Sequence, residues 1–381
     1  MLGRLLIFLS VLLLLLGGAS LYLGLRSLAL CPALGRHPAL VWGALGAFVL
    51  LMLSAPLLHR ALPAQAACRM EFLYWVSYGL FGLVSTFLVY LLAADLLQFL
   101  ARRLLQAPAT VGCVAWGLAA GLALLSNLLG LVVVLRPVGV ERHEIPVAAL
   151  APGLEGFRIV QISDLHVGPF TGSAGLERLV AQVNALEPDL VAVTGDLVDG
   201  EADGARDKVA LLSAIRARHG VCFVTGNHEY YSGVGPWIQE LKAMGWRVLM
   251  NEHALLSHEG AGLAVLGMPD PTGRGTRSGG PDLAKALAGV PPEAFKLLLF
   301  HPPTGTEAAA RAGVQLQLSG HTHGGQYFPW SLLVNRLWRY AQGLHREGGL
   351  WIHTSRGTGF WGPPNRFGVP PELTLLVLRK G

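Results

Sequence analysis

The chain has 381 residues, 52% of them hydrophobic and only 14% charged, against about a quarter charged in an ordinary soluble protein. That composition excludes a wholly soluble, wholly disordered or fibrous protein. Residues 1–136 hold eight Arg, no Lys and only Glu71 and Asp95, a local charge of +6, whereas residues 137–381 sum to −1; the net +5 therefore reflects arginines flanking apolar runs, not a basic patch for a phosphate backbone, and nucleic acid drops out as a partner.

From the N-terminus, four apolar stretches reach the roughly 20 helical residues that a bilayer requires: Leu5–Leu25, Ala39–Leu58, Phe72–Ala94 and Ala109–Leu135. The spacing predicts four transmembrane helices. Arginines bracket them at positions 4, 26, 36, 60, 69, 102, 103 and 136, and Trp42, Tyr74 and Trp75 sit near span ends, where amphipathic rings favour the interface. The first run is longer than the apolar core of a cleaved signal peptide and is expected to stay as a helix. Four spans put the N-terminus and everything after Arg136 in one compartment, and the arginine count favours the cytoplasm by five to four. Asp95 is expected to sit at a helix end near Arg102 and Arg103, and Asn127 to hydrogen-bond a neighbouring helix. Cys31, Cys68, Cys113 and Cys222 are too few and too scattered for a disulfide framework.

After Pro137 the pattern changes to short apolar runs separated by Gly, Pro and Asp, with amphipathic helical stretches between the first few. Residues 137–381 suit one α/β domain with a sizeable core. Strands are predicted at Phe157–Ser163, Leu190–Thr194, Val221–Thr225, Trp246–Met250, Leu263–Gly267, Leu297–Phe300, Val314–Leu318, Trp351–Thr354 and Leu373–Leu378, and helices at Gly175–Leu186, Ala205–Arg218, Pro236–Ala243 and Thr306–Ala312.

Five of these strands deliver polar chemistry just beyond their carboxyl ends, where α/β sheets build their sites. The exits read Asp164-Leu165-His166, Gly195-Asp196, Gly226-Asn227-His228-Glu229, His301-Pro302-Pro303 and Gly320-His321-Thr322-His323-Gly324-Gly325. Asp, imidazole and amide donors without a nearby thiolate suit divalent ions such as Mn, Fe or Zn. In extended backbone, Asp164 and His166 would point the same way and share one ion; His321 and His323 would do likewise unless a turn splays them onto neighbouring ions. A lone Asp-x-His or Gly-Asp is more often a cap or a turn, but five such exits in one domain have no packing rationale. His143, His219, His253, His258, His345 and His353 lack a motif and read as surface or hydrogen-bonded residues. Arg274, Arg277, Arg356 and Arg366, in Gly/Pro-rich loops, could touch an anionic substrate but read first as solvated side chains.

As an ordered set, these motifs resemble the signature of the calcineurin-like metallophosphoesterase superfamily, over the chain from about Asp164 to His323. The resemblance implies a four-layer αββα sandwich, here preceded by four transmembrane helices, with a membrane domain at 1–136 and a metallophosphoesterase domain at 137–381. It further implies two divalent metal ions (Mn, Fe or Zn), one held by Asp164, His166, Asp196 and His323, the other by Asp196, Asn227, His301 and His321. Asp196 would bridge them, a metal-bridging hydroxide would attack phosphorus, and His228 would protonate the leaving oxygen. Glu229 departs from the family, where many members have Asp. The implied function is that of an integral membrane phosphoester hydrolase, with the anchor suggesting a lipid-linked phosphate or pyrophosphate as substrate. The rival reading is a membrane receptor or transport component whose domain binds metal or nucleotide without turnover; a missing ligand would favour it, and none is missing.

Overall fold

The computed structural model describes residues 2–61, 71–105, 111–168, 171–276 and 279–381. Cys68, Arg69, Arg277 and the first two residues of the expected span Ala109–Leu135 lie outside the described residues. The chain forms two compact units, one comprising residues 1–132 and Gly362–Phe367, the other Val133–Trp361 and Gly368–Gly381.

The first unit is built on long helices: α1 (Leu2–Leu30), α2 (Pro38–Ala61), α3 (Glu71–Leu105) and α4 (Val111–Leu135). Among the described residues three segments are long and apolar enough to cross a membrane: Leu13–Leu30, Phe72–Leu104 and Gly112–Leu135. Within α2 the apolar stretch Pro38–Leu53 covers the first part of the expected second span, Ala39–Leu58; the side chains of α2 from Ser54 onward lie outside the described residues. Asp95 pairs not with Arg102 and Arg103 but with Arg26 of α1, and it accepts a further hydrogen bond of 2.6 Å from the Tyr22 hydroxyl. That partnership joins α1 to α3 and satisfies a charge that apolar surroundings would otherwise penalise. Asn127 donates to the Thr86 hydroxyl of α3 at 3.2 Å and accepts from the Asn365 amide at 2.9 Å, the interhelical role expected of it.

The second unit is an α/β fold with two six-stranded mixed sheets. The first has the order β1 (Gly139–Val147), β12 (Glu372–Lys380), β2 (Arg158–Ile162), β3 (Leu190–Val193), β4 (Val221–Phe223), β5 (Arg247–Val248). The second runs β10 (Gly343–Glu347), β11 (Leu350–Thr354), β9 (Leu316–Ser319), β8 (Phe295–Phe300), β7 (Ala261–Met268), β6 (Glu252–His258). The central strands read as unbroken apolar runs because both faces are covered. Along β3, Leu190 and Ala192 face the second sheet while Val191 and Val193 pack with Leu176 and Val180 of α5 (Ser173–Ala185) and with Trp237 of α8 (Val234–Ala243); α6 (Ala202–Ala210) and α7 (Asn227–Tyr231) lie between these two helices in the chain. On β8, Leu297 and Leu299 face the first sheet, while Leu298 and Phe300 pack toward Ala286 of α9 (Leu283–Leu287) and Ala309 of α10 (Thr306–Arg311). Helices, sheet, sheet and helices are thus separated by three apolar cores.

All nine expected strands form. The three without a sequence signal, β1, β6 and β10, are all sheet edges, and edges carry charged residues on solvated faces that blur the apolar alternation. Expected helix Ala205–Arg218 is shorter, ending as α6 at Ala210 and continuing as a 3₁₀ turn over Leu211–Ala214.

Candidate metal centre

The parallel run β2-β3-β4 and the parallel run β7-β8-β9 both send their carboxyl ends to the site. The loops there are tied to one another by backbone bonds: Asp164 N donates to Gly195 O at 3.0 Å, His166 N to Asp196 O at 3.1 Å and Gly320 N to His301 O at 2.8 Å.

The backbone itself is unusual. Asp164, His166, Asp196, His321 and His323 have φ of +52°, +51°, +49°, +72° and +51°, in the left-handed region that non-glycine residues rarely occupy and that clusters at functional sites. The expected extended geometry at Asp164 and His166 is therefore corrected: these side chains converge because consecutive left-handed turns fold them together, not because of a β pleat. At His321 and His323 the same turns splay the rings to different partners. Gly195, at φ +89°, lets the chain pass Gly226 and His301; a Cβ there would lie 2.6 Å from Gly226 N and 2.7 Å from His301 Nδ1. Gly320 leaves no room for a Cβ beside Ser163 and Asp164.

Among the described residues three groups of donors result: Asp164 with His166 and His323, Asp196 with His301 and His321, and His166 with Asp196 and His228. In the first, His166 Nε2 lies 3.0 Å from His323 Nε2, which is 3.3 Å from Asp164 Oδ1. In the second, His301 Nε2 is 3.2 Å from Asp196 Oδ2 and 3.3 Å from His321 Nδ1, and the Asn227 side-chain oxygen is 3.0 Å from that same Nδ1. Every one of the seven residues expected to hold metal is thus brought into these clusters. Asp196 Oδ2 also stands 3.9 Å from His166 Nε2, so its carboxylate lies between the two groups.

The donor set fits divalent cations. Donor separations of 3.0–3.3 Å are those that bonds of about 2.1 Å produce around one ion. The His166 Nδ1 is buried without a hydrogen-bond partner among the described residues, whereas His301 Nδ1 faces Thr194 O at 2.8 Å, which fixes its tautomer and turns Nε2 to the site. Burial, as the largest cause, holds His166 and His321 down to about 4, so both rings are neutral at pH 7, the form that can bind a cation. Burial pushes Asp164 up to about 6. Burial also opposes charge on Asp196 and His301, but their mutual attraction outweighs it: the carboxyl of Asp196 is held below the usual range and His301 rises to about 10. A bound cation would take the place of the proton that His301 carries beside the Asp196 carboxylate.

His228, a member of the third group, donates its backbone N–H to Asp196 Oδ1 at 2.8 Å, and its Nδ1 faces Asp199 Oδ1 at 3.2 Å. The aromatic rings of Tyr231 and Trp361 flank its imidazole at 5.4 and 5.6 Å between centroids. Glu229 is fully buried and accepts backbone N–H bonds from Gly226, Asp196, Leu197 and Val198 at 2.6–3.3 Å, clasping the β3 and β4 exits together. Burial, followed by the charge of Asp196, pushes its carboxyl up to about 7.

Four neighbours escaped the sequence reading. Asp199, three residues after Asp196, and Asp270, at the exit of β7, both follow strands as the recognised ligands do, and that position was the available signal. Asp270 is buried close enough for its charge to act on His301 and His321. Tyr231 and Trp361 had no local signal. Two loop arginines read first as solvated are corrected: Arg356 is paired with Glu372 at 2.6 Å and Glu141 at 2.7 Å, and Arg366 is fully buried in the first unit. His353, read as a surface or hydrogen-bonded residue, is fully buried and meets Gln161 Oε1 at 2.7 Å across the two sheets.

Fold and site together define an α/β sandwich with a His/Asp cation centre at its strand ends. Residues 157–325 match the family described as calcineurin-like phosphoesterase. The chain is 33% identical over 320 residues to the transmembrane protein with metallophosphoesterase domain of Danio rerio, covering 80% of this chain and 73% of that one. To the protein of the same name in Bos taurus it is 37% identical over 270 residues, 66% of this chain and 60% of the relative. An uncharacterized metallophosphoesterase of Bacillus subtilis is 30% identical over 246 residues, 62% of this chain and 84% of its own length. The chain belongs to the calcineurin-like metallophosphoesterase family. It spans about three fifths of the bovine relative's length.

Proposed function

We propose that this chain is an integral membrane hydrolase of phosphoesters, with residues 1–136 as the membrane domain and 137–381 as the catalytic domain. The observation that carries this reading is the convergence of five left-handed ligand candidates into two donor groups, with the Asp196 carboxylate between them. Asp164, His166, Asp196 and His323 would hold one divalent ion, and Asp196, Asn227, His301 and His321 the other. Two such ions would supply an activated water and a clamp for the phosphoryl oxygens. Asp199 fixes the His228 ring through Nδ1 and leaves Nε2 to deliver a proton to the leaving oxygen. Glu229 keeps the two loops in register for this geometry.

The membrane assignment draws on three apolar helices and on relatives named as transmembrane proteins; α2 is proposed as a fourth span. A lipid-linked phosphate or pyrophosphate is the proposed substrate class, supported by the exposed aromatic rings of Tyr231 and Trp361 beside the leaving-group acid. Purified full-length protein with Mn²⁺ is expected to hydrolyse one class in a panel of phosphomonoesters, phosphodiesters and lipid phosphates, and to lose that turnover on chelation and regain it with metal. Metal binding without turnover of any panel member would favour the receptor reading.

With four spans the catalytic domain would share a compartment with the N-terminus, and the loop-arginine count favours the cytoplasm for both. A reporter fused after Gly381 is expected to be active only inside the cell; activity confined to the exported compartment would reverse this orientation.

A further inference from the structure

Helix α11 (Trp330–Leu337) of the second unit faces the wrong way for a surface helix. Its buried side is Ser331, with Trp330, Val334 and the following Trp338 half-buried, whereas Leu332, Leu333 and Leu337 are 63%, 49% and 70% exposed. At 100° per residue the three leucines and Arg336 share about 140° of arc, so the outward face is the apolar one. Phe328, 37% exposed, extends the patch before the helix begins. From Gln326 to Ala341 there is no acidic residue, while Tyr327, Phe328, Trp330, Trp338 and Tyr340 add five aromatic rings and Arg336 and Arg339 two cations. Arg339 is engaged by Glu307 and Glu347 at 3.7 and 3.4 Å, which leaves Arg336 as the cation set among the leucines.

A leucine arc bearing a long cationic side chain and flanked by Trp and Tyr has the composition of a helix that lies in a membrane interface: the leucines enter the acyl boundary, the rings occupy the headgroup level and the arginine snorkels to phosphate. The occupant follows from the same chain. Only Arg136, Pro137 and Val138 separate α4 from β1, so a domain joined to an apolar span by three residues never leaves the neighbourhood of a bilayer. We propose that α11 is a lipid-docking surface that inserts Leu332, Leu333 and Leu337 into the bilayer anchoring the chain, with Arg336 on anionic headgroups. The Trp338 ring just after the helix stands 5.4 Å from that of His321, so the element that would touch lipid is packed directly against a residue of the candidate metal centre. This inference goes beyond the hydrolase reading and needs no turnover to be tested.

The test uses full-length protein in phosphatidylcholine vesicles containing about one quarter phosphatidylglycerol. Cys31, Cys68 and Cys113 are replaced by Ala. Cys222 stays, because it is fully buried and burial pushes its thiol up to about 11. An environment-sensitive dye is attached at Leu333→Cys or, as a control, at exposed Glu293→Cys. The dye at 333 should be quenched by lipids brominated in the upper acyl chain at least twofold more than the dye at 293, and protected from aqueous iodide. Adding Leu332→Ser and Leu337→Ser should return it to the control level. Equal lipid and iodide quenching at both positions would overturn the proposal, as would protection that vanishes when the protein is diluted in lipid, which would assign the face to a second copy.

Discussion

Asp196→Asn is expected to lower metal content from the proposed two ions per chain to one or none and to reduce turnover by more than about 10³-fold, the upper range for removing one electrostatic contact from an active site. The asparagine keeps the size of the side chain and tolerates the left-handed backbone of this position, where φ is +49°, so folding should survive and the loss be chemical. What disappears is the negative charge facing His301 Nε2 at 3.2 Å and His166 Nε2 at 3.9 Å, and with it the carboxylate that, among the described residues, belongs to groups with both histidines. Metal analysis of the purified variant beside its kinetics decides the matter. Two ions per chain with normal turnover would sink the two-ion assignment.

His228→Ala separates chemistry from binding. Its imidazole is oriented by Asp199 and placed beside, not within, the two groups assigned to ions, so the variant is expected to fold and retain both metals while kcat falls by about 10² to 10⁴, the range for a lost general acid. The defect should be largest for alkyl phosphoesters, whose leaving oxygen needs the proton, and should shrink with an activated aryl phosphate. His228 also lies within ligand distance of His166 and Asp196, which gives the metal measurement its force: loss of an ion in this variant would make His228 a ligand and remove the acid assignment.

The legible part of the site was its inventory. Asp164, His166, Asp196, Asn227, His301, His321 and His323 could be picked out because each follows a run of buried strand residues, and a polar group at that position has no packing reason to be there. Asp199 and Asp270 follow strands in the same manner but lie farther from a recognised motif. Trp361 was invisible because it is brought to His228 by a loop that is 133 residues away in sequence. Helix α11 was missed for a different reason: its exposed arc is the apolar one, and Pro329 with three aromatic residues masks the period that would announce a helix.

The sequence by itself determined the division between a membrane-compatible third and an α/β remainder, nine apolar strands, and the chemical identity of the donors, because apolar runs and strand exits are local properties. Three edge strands were left to the tertiary structure, since pairing on one side alone permits charged residues that no local pattern requires. The fold also decided how donors meet. Asp164 and His166 were expected to converge through an extended strand, yet they converge through two left-handed residues, and His321 parts from His323 by the same means. Such backbone is costly for each residue alone, and here it is held by partners distant in the chain: Asp164 N and His166 N on the β3 exit, and His321 N on the Asp164 carboxylate at 3.0 Å. Geometry that depends on contacts across 30 to 157 residues is decided only once both sheets are in place.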